Sequence, residues 1–186
     1  GEFFALKVET GQELWSYSLA GGQRNQGATR LSSILGRPII DRGIVFAGSN
    51  SGRFAAVNLR NGKRIWEREI GSIESPWIAG DYLYILSNNS NLIALSRLTG
   101  KIYWVTSLPR WENPKKKKGK LTWAGPVLAS DRIIVAGSIG NALSISPYSG
   151  KILGKVRMSD GGTISPVIAL NSLLLLSDNA ELVIYR

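Results

Sequence analysis

Gly62-Lys63, set in "NLRNGKRIWERE" (residues 58 to 69), is the first pair here that could do chemistry, since a Gly-Lys step in a tight turn is part of a phosphate-binding loop. Such a loop needs another Gly five residues earlier, so that backbone amides surround the phosphate, and a Ser or Thr after the Lys to reach a metal ion. Val57 stands five before Gly62 and Arg64 follows Lys63, so both requirements fail. The step recurs as Gly100-Lys101 and Gly150-Lys151, again without those partners. A corner that repeats in this way reads as a structural turn.

Other sources of chemistry are thin. The 186-residue chain contains neither His nor Cys, which removes the commonest general base and metal ligand together with disulfides and thiolates. Its net charge is +10, and half of the excess lies in residues 110 to 120, "RWENPKKKKGK", where Arg110 and five Lys face only Glu112. One reading of this stretch is a solvated mobile loop, because like charges repel and Pro and Gly disfavour regular structure. The functional alternative makes Lys115, Lys116, Lys117, Lys118 and Lys120 a contact for anionic lipid headgroups or an acidic partner surface. Nucleic acid is not expected as a partner, because Trp111 and Trp123 only flank the run and no broad basic face carries interleaved aromatics.

The elements that carry these residues follow from a repeat. Thr10-Gly11, Asn61-Gly62, Thr99-Gly100 and Ser149-Gly150 each precede a strand-like run, and a Trp stands four residues after the first three glycines: Trp15, Trp66 and Trp104. The fourth copy has Gly154 instead. A proline opens an apolar run 24 residues before three of these turns, at Pro38, Pro76 and Pro126, and Pro166 opens a further one. From each turn Gly to the next such Pro the distances are 27, 14, 26 and 16, so insertions gather in one part of the cycle, where function can be carried.

Inside the constant segment, runs such as "PIID", "GIVFAGS" and "RFAAVNL" alternate with Gly, Asn, Asp and Ser. A fourth run, such as "KRIWEREI" or "KIYWVTSL", follows each turn. Four antiparallel strands in about 40 residues match a β-propeller blade, and no stretch has convincing helical periodicity, so the fold class is all-β. The expected units are 1-19 (last two strands), 38-70, 76-108, 126-158 and 166-186 (first three strands). Each Trp is expected to pack blade on blade, since such a side chain buries roughly 150 to 250 Å². Asp41, Asp81 and Asp131 fall in equivalent hairpin turns, where Asp is useful to the backbone. Glu67 and Glu69, alternating with Arg68, read as an exposed strand edge.

Apolar runs are strand-sized, so no membrane-spanning segment is expected. No signal peptide is visible, which carries little weight where "GEFFALKVETGQELW" reads as the last two strands of a blade. The other end supplies three strands and stops four residues before the spacing would place the next turn Gly. The expectation is a portion of a longer propeller of eight blades, with self-association of half-propellers as the alternative. A third arrangement would let residues 3 to 8 and 13 to 19 complete the blade begun at 166 to 185, making a four-bladed ring.

The motif of Ala-Leu or Ala-Val, a short polar link, Thr-Gly or Asn-Gly, then Trp, resembles the repeat of pyrroloquinoline-quinone-type propellers. Within them the closer likeness is to the BamB family of bacterial outer-membrane assembly lipoproteins, through "RPIIDRGIVFAGSNSGRFAAVNLRNGKRIWEREIGSIESPWIAGDYLYILSNNSNLIALSRLTGKIYW" and on to the end of the chain. It matches about the C-terminal half of that eight-bladed family. The resemblance implies a periplasmic scaffold without a cofactor, held at the outer membrane by a lipid anchor in the full-length protein, that binds the periplasmic domains of BamA. It also carries a binding segment, Arg-Leu-Ser-Asp-x-Asp, onto Arg30, Leu31, Ser32, Ser33, Ile34 and Leu35, where Ser33 and Leu35 replace both acids. Another possibility for residues 30 to 35 is an ordinary link with Leu31, Ile34 or Leu35 tucked into the propeller.

Quinoprotein dehydrogenases share the repeat but need a quinone, a calcium ion and a carboxylate base, and many have a vicinal Cys pair. No such constellation can be assembled here, so enzymatic activity is not expected. A different non-catalytic propeller, a sensor or adhesive domain, is the remaining alternative.

Overall fold

The computed structural model describes residues 1–20 and 32–186, and the regular elements among them are all β-strands. β1 (Glu2–Leu6) and β2 (Glu13–Ser18) form a two-stranded sheet. A four-stranded meander follows, made of β3 (Ile39–Asp41), β4 (Ile44–Gly48), β5 (Phe54–Asn58) and β6 (Arg64–Arg68). The next comprises β7 (Trp77–Ala79), β8 (Tyr82–Leu86), β9 (Asn91–Ser96) and β10 (Ile102–Ser107). A hairpin of β11 (Trp111–Asn113) and β12 (Lys118–Lys120) precedes the third, formed by β13 (Trp123–Ala129), β14 (Arg132–Gly137), β15 (Asn141–Ile145) and β16 (Ile152–Arg157). β17 (Val167–Ala169), β18 (Ser172–Leu176) and β19 (Leu182–Tyr185) make a three-stranded sheet. All pairings are antiparallel between chain neighbours, the topology of propeller blades.

Burial explains the sequence pattern of the inner strands. β4, β8, β9 and β14 are buried along nearly their whole length because a neighbouring blade covers each face, so they read as continuous apolar runs. The fourth strands β10 and β16 lie at the rim and alternate or are exposed. One core layer packs Phe46, Phe54 and Trp66 against Leu83, Ile85 and Leu95 of the next blade. Another packs Tyr84, Leu86 and Leu92 against Ile133, Val135 and Leu143.

The Trp and the turn Gly are two halves of one joint. Trp15 Nε1 donates to Leu59 O (2.8 Å), Trp66 Nε1 to Arg97 O (2.9 Å) and Trp104 Nε1 to Pro147 O (3.0 Å), each acceptor lying three residues before the turn Gly of the next blade. The indole then lies over that glycine. A Cβ on Gly62 or Gly100 would stand 2.7 Å from the ring of Trp15 or Trp66, and one on Gly150 would stand 2.6 Å from Trp104. These glycines also have φ of +66°, +65° and +71°, so Gly is required for conformation and for space alike. Gly62-Lys63 is therefore a blade corner that receives a Trp.

Three expectations need correction. Residues 110 to 120 are a hairpin, not a loop: Trp111 pairs with Lys120 and Asn113 with Lys118, while Asn113 Oδ1 accepts from the Lys116 N–H (3.1 Å). Leu121 N–H donates to Arg110 O (2.9 Å) and Trp123 Nε1 to Pro109 O (2.8 Å), which holds the base of the hairpin on the blade. The four-bladed closure does not form, because β1 and β2 pair with each other and β17 to β19 are a separate sheet. Glu67 is not an exposed edge residue; its carboxylate accepts from Tyr17 OH (2.9 Å) and pairs with Arg53 (3.4 Å) and Arg64 (3.6 Å).

Candidate functional site

The links between blades meet on one another, and the stretch ahead of Pro38 is among the most firmly held. Ser33 donates its N–H to Asn50 Oδ1 (2.8 Å) and accepts at its carbonyl from the Asn50 N–H (2.9 Å). Ser32 O accepts from Gly1 N (2.6 Å), and Ser32 Oγ lies 3.0 Å from Ser51 Oγ. Ile34 is half-buried against the core of Phe3, Leu19 and Val45. A Cβ on Gly36 would stand 2.5 Å from Glu74 O, so only glycine lets this link pass over the next one, where Arg37 N–H also donates to Ser75 Oγ (2.9 Å).

Among the described residues ahead of Pro38, that backbone leaves two side chains outside, those of Leu35 and Arg37. Leu35, between inward Ile34 and constrained Gly36, is 65% exposed. Of the four described residues among the six singled out from the sequence, Ile34 packs against the core, and Ser32 and the Ser33 backbone spend their polar groups on neighbouring backbone and side chains. Arg30 and Leu31 lie outside the described residues.

Lys115, Lys116, Lys117, Lys118 and Lys120 are together on the β11–β12 hairpin and are all exposed. None of them has a salt-bridge partner among the described residues. Lys120 reaches back to line a cavity of about 230 Å³ with Ile73, Glu74, Asn88, Thr122 and Trp123, which brings the foot of the basic hairpin next to the Glu74 link.

Glu74 escaped the sequence reading. Its carboxylate accepts from Ser165 Oγ (2.9 Å) and from the Gly125 N–H (3.4 Å), so one side chain ties its own inter-blade link to a second link and to strand β13. Burial pushes its pKa above the usual carboxylate range, against the opposing effect of the Ser165 and Gly125 hydrogen bonds. Arg97 was also missed. Its side chain is 6% exposed, pairs with Asp41 (3.1 Å) and lies 3.6 Å from Asp81, so these two turn aspartates also neutralise a buried guanidinium. The recurrence of Asp in equivalent turns was the available signal, without a cue for the partner.

The geometry offers fixed links with projecting side chains and a basic hairpin, the equipment of a docking surface. Among the described residues no group of three or more Asp, Glu, His or Cys could hold a metal ion.

A family model described as outer membrane protein assembly factor BamB matches residues 1–106. BamB of Legionella pneumophila (strain Paris) is 27% identical over 182 residues, covering 98% of this chain and 45% of the relative. BamB of Escherichia coli (strain K12) is 26% identical over 178 residues, covering 95% and 43%. This chain thus spans less than half the length of these curated relatives. Among solved structures, that of BamB from Moraxella catarrhalis superposes with a TM-score of 0.80 at 21% identity, over 100% of this chain and 52% of that one. The quinohemoprotein alcohol dehydrogenase of Comamonas testosteroni reaches 0.60 at 16% identity over 77% and 29%, which is a likeness of fold.

Proposed function

Because the chain belongs to the family of the outer membrane protein assembly factor BamB, we propose that it is a non-enzymatic scaffold of β-barrel assembly that docks the periplasmic domains of BamA through the link at residues 30 to 35. The observation that carries the site is Leu35, an exposed apolar side chain on a backbone held by Ser33, Ile34 and Gly36. A preorganised anchor spends little ordering entropy on binding, which favours such a residue as a contact. The place of action is the periplasmic face of the outer membrane, with a lipid anchor in the full-length protein. Its contribution is to orient and cluster partners, with no covalent step.

Titration calorimetry against the soluble periplasmic domains of the cognate BamA tests this. Leu35→Ala is expected to weaken binding about tenfold, as an apolar anchor would. Arg30→Ala combined with Leu31→Ala is expected to weaken it as well. Silence from the native chain with binding by the Ser33→Asp, Leu35→Asp variant would mean that the scaffold is kept and this link has drifted. Equal affinities for the native chain and every alanine variant would remove the site assignment.

The hairpin lysines are proposed to touch anionic lipid headgroups. Five ammonium groups on one short hairpin, without a salt-bridge partner among the described residues, support this, and each contributes roughly 1 kcal/mol near an anionic surface. Co-sedimentation with phosphatidylglycerol vesicles should be lost at high salt and on replacing Lys115 to Lys118 by Gln; binding indifferent to both would exclude the lysines.

Self-association of half-propellers is the further contact proposed. Leu6 and Leu14 on the first sheet and Leu182 and Ile184 on the last are more than half exposed, so the end sheets present apolar surface. A concentration-independent monomer mass by light scattering would rule it out.

A further inference from the structure

The fourth strands face one structural task with different residues. Trp15, Trp66 and Trp104 each stand opposite an alanine on the adjacent strand, Ala5, Ala56 and Ala94, whereas Gly154 stands opposite Ser144. Counted from Pro38 and Pro126, the depletion goes further: Phe46, Phe54 and Trp66 in the first complete blade correspond to Ile134, Ala142 and Gly154 in the third. Three aromatic rings become two small aliphatic side chains and none.

The neighbouring sheet does not collapse to fill the difference. A cavity of about 220 Å³ remains between the third blade and the last sheet, walled by Ile134, Ala142, Ser144, Val156, Leu175 and Tyr185. Gly154 is outside the left-handed region, and a Cβ built on it would meet only Ser144 Oγ, at 3.2 Å. A side chain here needs Ser144 Oγ to give by a few tenths of an ångström, and the cavity wall of Ile134, Ala142 and Ser144 corresponds to Phe46, Phe54 and Ala56, with which Trp66 packs.

We propose that this cavity binds a flat aromatic ring of indole size supplied from outside the described chain. The occupant is indicated by the protein itself, which fills the corresponding place with Trp in three other copies of the repeat. The cavity is half open, which gives a ring a way in, and its nearly wholly apolar wall offers water few partners, so an apolar ring can displace it. Arg132, which replaces Ile44 of the first complete blade, is also in the wall and offers a cation for a ring face, while Ser144 Oγ offers an acceptor for an indole N–H. This inference is independent of the BamA reading.

The test is titration of the whole chain with indole, followed by calorimetry and by the methyl resonances of Val156, Leu173 and Leu175. Saturable binding that shifts these methyls and raises Tm is expected. Gly154→Trp, which restores the missing ring, should raise Tm and weaken indole binding by at least about tenfold. Ala142→Phe, which restores the ring at the Phe54 position, fills the space by another route and carries the same expectation if the first variant fails to fold. N-acetyltryptophanamide distinguishes the two sources: binding by it and by indole means that a side chain of another polypeptide can enter, and binding by indole alone means a free aromatic molecule. Absence of saturable binding, or binding that a folded filled variant leaves unchanged, would overturn the proposal.

Discussion

The interface between sheets β3–β6 and β7–β10 and the interface between β13–β16 and β17–β19 derive from the same repeat and are filled differently. In the first, Phe54 stacks on Trp66 with centroids 6.1 Å apart and planes at 16°, and Phe46 lies 6.0 Å from the same indole. In the last, the buried cluster is Ile134, Ala136, Ala142, Met158 and Leu175, without an aromatic member. The pairing of the last three strands keeps the same register in both blades, down to the register shift beside Trp66 and Gly154. Backbone hydrogen bonding thus maintains the blade, while side-chain volume determines whether adjoining blades close on each other. A propeller can change one interface without losing the sheet.

The largest effect should come from removing the ring at the closed interface. Trp66→Ala deletes a side chain that is 7% exposed and leaves Arg97 O without its donor, so a loss of about 3–5 kcal/mol is expected in urea denaturation. The half-buried Trp104 should lose less on the same change; equal losses would break the link between burial of the Trp and strength of the joint.

Altering the other half of that joint should cost less. Gly100→Ala places a methyl 2.7 Å from the Trp66 ring at a φ of +65°, for an expected loss of roughly 1–3 kcal/mol. Gly154→Ala has neither obstacle, and its stability should stay near that of the native chain. A substantial loss at Gly154 together with none at Gly100 would reverse the comparison between the two interfaces.

The smallest effect belongs to Glu74, which reaches from the closed side of the molecule to Ser165 at the open one. Burial raises its folded pKa above the unfolded value, so the folded state holds its proton more tightly. The resulting stability is present below the ordinary carboxylate range and is lost as pH rises through the raised value. Glu74→Gln keeps the hydrogen-bonding shape without the charge, and its Tm should fall less over that window than the native Tm. Parallel pH profiles would show that the bridge is indifferent to protonation.

The sequence by itself determined the blade. The 24-residue spacing from Pro to turn Gly, the apolar runs and the Trp after the turn fix strand order because strand pairing, turn conformation and the Trp-on-Gly joint all act over short or regularly repeated distances. It also marked Gly154 as the exception, though not the space beside it, which depends on whether another sheet moves in. Much of the candidate surface was less legible. The link was identifiable from residues 32 to 35, but a nonperiodic segment gives no sign that Ile34 turns inward and Leu35 outward. Four consecutive lysines concealed a hairpin because they lack alternation. The joining of Glu74 to Ser165 and of Arg97 to Asp41, 91 and 56 residues apart, was decided only by tertiary structure, since burial and ion pairing belong to whatever surfaces the folded chain brings together.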